Sequence, residues 1–166
     1  HGASLLDTTV NVHYHLADGA NTVNTLDQIV VGSGVELSCA GTADLCHALT
    51  QSTQSLDFSA DAIRYSYSGT GTDFLNTQQN RFQFTSLYDG NSAIQGVQLT
   101  TNITGMDASR VSFGGHMVRV DMGGLHVDSG SYFQLSLQAA PVPEPASAAL
   151  LLGGLGLLVA ARRRRR

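Results

Sequence analysis

From residue 8 to residue 138 apolar side chains recur at every second position, and no stretch sustains a 3.6-residue period. Successive side chains of a strand point to opposite faces, so this alternation dictates strands that are buried on one side only. Val10, Val12, Tyr14 and Leu16 face one way, while Asn11, His13 and His15 face the other. A second strand starts at Ile29. Beyond Gly32-Ser33-Gly34, Val35, Leu37 and Cys39 alternate with Glu36 and Ser38. Leu56 and Phe58 alternate with Asp57 and Ser59, and Ile63, Tyr65 and Tyr67 with Arg64 and Ser66, as neighbouring strands around Asp61. Phe82, Phe84, Val97, Leu99, Val111, Phe113, Val118, Val120, Met122, Phe133, Leu135 and Leu137 continue the inward series, with Tyr88 and Tyr132 in the same register.

Glycine, aspartate and asparagine interrupt the pattern about every eight to twelve residues, the spacing of a β-sandwich. Asp89-Gly90-Asn91 reads as a turn, because Gly and Asn accept the positive φ that tight turns require. Gly114-Gly115 and Gly123-Gly124 would break any helix. The longest polar connection, 68–80, is expected to be pinned to the body by Phe74 and Leu75. The expected fold is all-β, an antiparallel two-sheet sandwich of nine or ten short strands, jelly-roll or immunoglobulin-like, filling residues 1–140.

Charge narrows the partners. Five of the nine basic residues are the terminal arginines and one of the thirteen acids is Glu144, which leaves four arginines against twelve acids, a charge of −8, before the tail. There is no lysine. Such a domain lacks the basic footprint that phosphate backbones demand, which argues against nucleic acid. Cys39 and Cys46 flank a short polar loop, and in an oxidising compartment a disulfide closing it would contribute roughly 2–3 kcal/mol. A redox or metal pair would want CxxC spacing or more ligands than the adjacent His47.

His13 and His15 stand at metal-ligand spacing on one strand face. A cupin-type site would add a glutamate a few residues on and a later histidine; here only Asp18 follows closely, and His116 or His126 would complete the set. The competing reading is two solvent-facing polar residues. No Gly-x-Ser-x-Gly elbow supports a serine triad. Asp18-Gly19, Asp89-Gly90-Asn91 and Asp128-Ser129-Gly130 lack the repeated oxygen-ligand spacing of a calcium loop and are explained as turns. Asn102-Ile103-Thr104 is a bare glycosylation sequon. No tryptophan offers a platform for sugar stacking.

The end of the chain follows different rules. Val142-Pro143-Glu144-Pro145 precedes the uncharged run 146–161, which precedes Arg162, Arg163, Arg164, Arg165 and Arg166. As a helix the run would rise roughly 24 Å, just short of the roughly 30 Å hydrocarbon core, so it can barely span. Five arginines stay on the cytoplasmic side, which places everything before Pro143 on the far side. A plain anchor or a buried core helix are the other readings, but Pro-Glu-Pro has no anchoring purpose and the arginines need solvent. The order of motif, span and basic stop resembles the PEP-CTERM sorting signal of bacterial envelope and exopolysaccharide-associated proteins. More loosely, the stretch 97–137 resembles the ectodomains that accompany such tails.

The resemblance implies that Val142, Pro143, Glu144 and Pro145 are read by an exosortase, a membrane-embedded cysteine transpeptidase. It divides the chain into an extracytoplasmic sandwich (1–140), a motif linker (141–145), a transmembrane helix (146–161) and a cytoplasmic poly-Arg stop (162–166). The expected protein is non-enzymatic and needs no cofactor. Its precursor sits in the inner membrane, and its mature form at the cell surface or in a biofilm matrix, with exopolysaccharide as a further partner. The export that this requires fits a leader already removed before His1, or a chain that is a piece of a longer one. The alternatives are a jelly-roll metal protein or cupin-like enzyme using His13 and His15, and a carbohydrate-binding module using an exposed face.

Overall fold

The computed structural model describes residues 3–50 and 53–142, together with the isolated positions Gly153 and Arg162. Its strands are β1 (Thr9–Asp18), β2 (Asn21–Val30), β3 (Leu37–Cys39), β4 (Gln54–Phe58), β5 (Ala62–Tyr67), β6 (Thr72–Asp73), β7 (Gln79–Thr85), β8 (Ser92–Thr101), β9 (Val111–Gly114), β10 (Met117–Asp121), β11 (His126–Val127) and β12 (Tyr132–Pro141). Among the residues described as continuous segments, helix is limited to α1 (Leu45–Ala48) and the 3₁₀ turn Ala108–Arg110; the isolated positions Gly153 and Arg162 are helical. Two five-stranded sheets, ordered β2-β1-β7-β10-β9 and β3-β4-β5-β12-β8, are joined by a two-stranded β11-β6 patch, and every pairing is antiparallel. The all-β expectation holds in this form. The anticipated membrane span, 146–161, lies outside the described residues but for Gly153; among the described residues no helix is long and apolar enough to cross a membrane.

Aromatic rings fill the space between the sheets. Tyr65 and Phe133, opposite each other on β5 and β12, stack at 5.3 Å between centroids. Phe82 of the facing sheet meets both, at 5.6 Å and 6.0 Å. Phe84 meets Phe58 edge-on at 5.7 Å, and Tyr14 meets Phe82 at 5.3 Å. Each such pair adds about 0.5–1.5 kcal/mol to the burial of its apolar area. The buried phenol oxygens find partners: Tyr65 donates to Gln54 Oε1 at 2.5 Å, and Tyr14 to Asn80 Oδ1. Burial raises both phenols well above their ordinary range.

Several positions depart from the expected register. Val35 and Leu75 are exposed because both lie in connections outside any strand; Phe74, without Leu75's side chain, pins the 68–80 segment, helped by Asn80 Nδ2 donating to the Leu75 carbonyl at 2.9 Å. Phe113 keeps the inward register opposite Val118 but sits on the edge strand β9, and it is 44% exposed. Val97 and Leu99, on the edge strand β8, are half-buried for the same reason. Tyr132 faces outward, since Phe133, Leu135 and Leu137 hold the inward positions of β12, and the Arg64 guanidinium lies 4.1 Å over its ring. The described strands also outnumber the nine or ten expected, through the two-residue pieces β6 and β11.

Phe82, fully buried and touching Tyr14, Tyr65, Phe84 and Phe133, is the ring most central to this core. Phe82→Ala is expected to cost about 3–5 kcal/mol. Denaturant unfolding should show this as a lowered midpoint.

Candidate functional site

β12 delivers the chain to its sorting-type motif without a flexible linker. The strand is paired on both sides, with β5 and β8, and its last pairs are Ala140 with Ala93 and Pro141 with Ser92. One residue further, the Val142 N–H donates to the Asn91 carbonyl at 2.7 Å. β12 ends at Pro141, and Pro143, which follows Val142 in the sequence, has no N–H to donate. The turn that receives Val142 is the predicted Asp89-Gly90-Asn91, with Gly90 at φ 120°. Tyr88 anchors it from behind, donating to the Ala60 carbonyl at 3.1 Å. Burial, and then the Asp61 carboxylate, push the Tyr88 phenol up to about 12. Sequence reading missed Asn91 and Ser92 as neighbours of the motif, because no local pattern reveals a pairing across fifty residues of chain. Val142 is half exposed; Pro143, Glu144, Pro145, Arg163, Arg164, Arg165 and Arg166 lie outside the described residues, and Arg162 is exposed.

Cys39 and Cys46 are bonded to each other, with Cα atoms 5.4 Å apart. The loop they close docks on the edge strand β2. Asp27 Oδ1 and Oδ2 accept from the N–H groups of Asp44 and Leu45 at 2.7 and 2.9 Å, and Asp44 Oδ2 accepts from the Leu26 N–H at 3.0 Å. These reciprocal bonds occupy an edge donor of β2, one way in which proteins blunt sheet edges against stray pairing.

His13 and His15 share the outer face of their sheet, their rings stacked 5.7 Å apart. His13 Nε2 lies 3.2 Å from Thr85 Oγ1, and His15 Nδ1 2.5 Å from Asn24 Oδ1. The later histidines do not join them. His116 Nδ1 contacts the Leu87 carbonyl at 2.9 Å and His126 Nδ1 the Asp73 carboxylate at 2.6 Å. Among the described residues no group of three or more His, Cys, Asp or Glu could hold a metal ion. The other polar motifs are structural brackets. Asn102 donates to the Gly130 carbonyl and accepts from the Tyr132 N–H, both at 2.9 Å, and Ser131 Oγ donates to Asp128 Oδ1 at 3.1 Å. Gly19 turns β1 into β2 at φ 61°.

Residues 141–166 match the family model of the PEP-CTERM protein-sorting motif. Such a motif implies an exported protein that an exosortase processes. No curated protein and no solved structure matches the chain.

Partial burial, and secondarily the neighbouring His15, lower the pKa of His13 below its ordinary value. The unfolded chain therefore takes up a proton near pH 6.5 that the folded protein refuses, and stability falls as pH drops through that value. Thermal melts between about pH 7.5 and pH 5.5 should show this fall, and His13→Asn should make it shallower.

Proposed function

We propose that this protein is a non-enzymatic cell-surface or extracellular-matrix component, made as an inner-membrane precursor and released from its tail by an exosortase. The observation that carries the reading is the match of residues 141–166 to the sorting motif, joined to a body whose last described backbone contact is that of Val142 with Asn91. In the precursor, 146–161 forms a transmembrane helix, the five terminal arginines hold it from the cytoplasmic side, and the sandwich lies outside. Only Pro143, Glu144 and Pro145 separate the last described contact of the body from the apolar run. Three residues reach at most roughly 10 Å. The pole formed by Tyr88, Asn91 and Ser92 therefore rests close to the lipid headgroups, within reach of a membrane-embedded enzyme.

The non-enzymatic part of the reading rests on the uses already found for the reactive side chains. The cysteines are spent on each other, His126 on Asp73 and His116 on a backbone carbonyl. A surface or biofilm location, with exopolysaccharide as neighbour, follows from the kind of protein that such tails accompany. The acidic, lysine-free body suits a secreted protein that must stay soluble.

An anchor is read by the bilayer, whereas a motif is read by an enzyme that needs particular side chains on an extended backbone. Replacing Pro143-Glu144-Pro145 by three alanines leaves the span and the arginines untouched. In the producing cell this variant should accumulate as full-length precursor in the inner-membrane fraction. Undiminished delivery to the surface would refute processing through this motif.

A further inference from the structure

At the pole opposite the tail the two sheets part around a cavity of about 210 Å³. β12 starts at this pole and needs all ten of its residues to reach Pro141, so the cavity lies roughly 30 Å from the exit of the tail. Its inner end is polar. Among the described residues only Thr25, Gln54, Asn80 and Ser131 are buried polar side chains, and two of these four, Gln54 and Asn80, line this one cavity together with Tyr14. Asn80 is 2% exposed and Tyr14 2%. Tyr14 donates to Asn80 Oδ1, Asn80 Nδ2 donates to the Leu75 carbonyl, and Gln54 Oε1 accepts from Tyr65. An amide oxygen has two lone pairs and an amide nitrogen two protons, so Asn80 keeps both an acceptor and a donor for a further partner.

The side walls are apolar, with Leu16, Phe74 and Val127 among them. Among the described lining residues Asp73 alone carries a charge, and His126 contacts it at 2.6 Å. An anion would meet that carboxylate, and a cation would find no second one. The volume equals roughly seven water molecules at about 30 Å³ each, below the roughly 300 Å³ at which drug-sized sites begin. One ring fits, and it must offer hydroxyls to the inner end and a C–H face to Phe74.

We infer that this cavity binds a single neutral polyol ring, a hexopyranose taken either free or as the terminal residue of a glycan. The inference goes beyond the sorting function and does not rest on it, since the body would bind whether or not the tail is processed. Asn80 and Tyr14 address the ring hydroxyls, and Phe74 lies against its apolar face.

The test is saturation-transfer NMR on the full chain in a zwitterionic, sugar-free micelle. The probes are the methyl glycosides of glucose, galactose, mannose and N-acetylglucosamine, methyl glucuronoside as the charged comparator, and oligosaccharides ending in the same residues. At least one neutral glycoside should receive saturation, with the glucuronoside about tenfold weaker or more because of Asp73. Transfer to the oligosaccharides as well assigns chain ends, and transfer to the monomers alone assigns the free sugar. Ala48→Phe, at the half-buried mouth, should abolish the signal; if that variant does not fold by circular dichroism, Thr72→Phe serves in its place. No transfer to any neutral glycoside, equal transfer to the glucuronoside, or transfer that survives in a folded mouth variant would each overturn the assignment.

Discussion

The contact on which this fold depends is the meeting of Phe82 with Tyr65 and Phe133 across the two sheets. Each sheet alone is a set of strands with one greasy face, and neither is stable until that face is covered. The rings lock the faces together near the middle of β5 and β7 and the start of β12, strands that lie inside their sheets. The edge strands β2, β9, β3 and β8 complete the two sheets around them. Because two of the rings in this region are tyrosines, the core must carry acceptors with it, and Gln54 and Asn80 are buried for that reason. The same two amides give the distal cavity its polar inner end, so packing and the means of recognising a ligand arise from one requirement.

β12 links this core to the tail. Its first half carries Phe133 and Leu135 into the aromatic centre, and its second half, beyond the register shift at Gln138/Ala139, runs beside β8 to the pole where Val142 is held by Asn91. Among the described residues that path is complete at Val142, the first residue of the motif, so the body can keep its fold when the tail is cut beyond it, and the proline that follows marks the boundary chemically by withholding an N–H. The distal cavity lies at the other end of the same strand, so processing and ligand binding use opposite poles.

Period-two alternation made β1, β4, β5, β7, β10 and β12 legible in the sequence, because each buries one face against the opposite sheet. A second strand was expected to start at Ile29, whereas β2 covers Asn21–Val30 and ends there. Its inward positions include Thr25 and Asp27, and Leu26 and Val30 point outward, so an edge strand shaped by the docking of α1 inverts the expected polarity. Phe113 was assigned correctly by period but lies beyond the cover of the facing sheet, which a one-dimensional pattern cannot show. The Cys39–Cys46 pairing and the tail motif were readable because both are local in the chain. The Val142–Asn91 bond and the cavity were not, since they are assembled by long-range register and by connections such as 68–80.

The account's central claim is that a self-sufficient body ends at Val142 and that the tail is removed next to it. Intact-mass spectrometry of the protein recovered from the cell surface or matrix tests this most directly. The account predicts a C-terminus at or near residues 142–145, on a protein that still carries the Cys39–Cys46 bond. Surface protein that retains its sequence through Arg166 would contradict it.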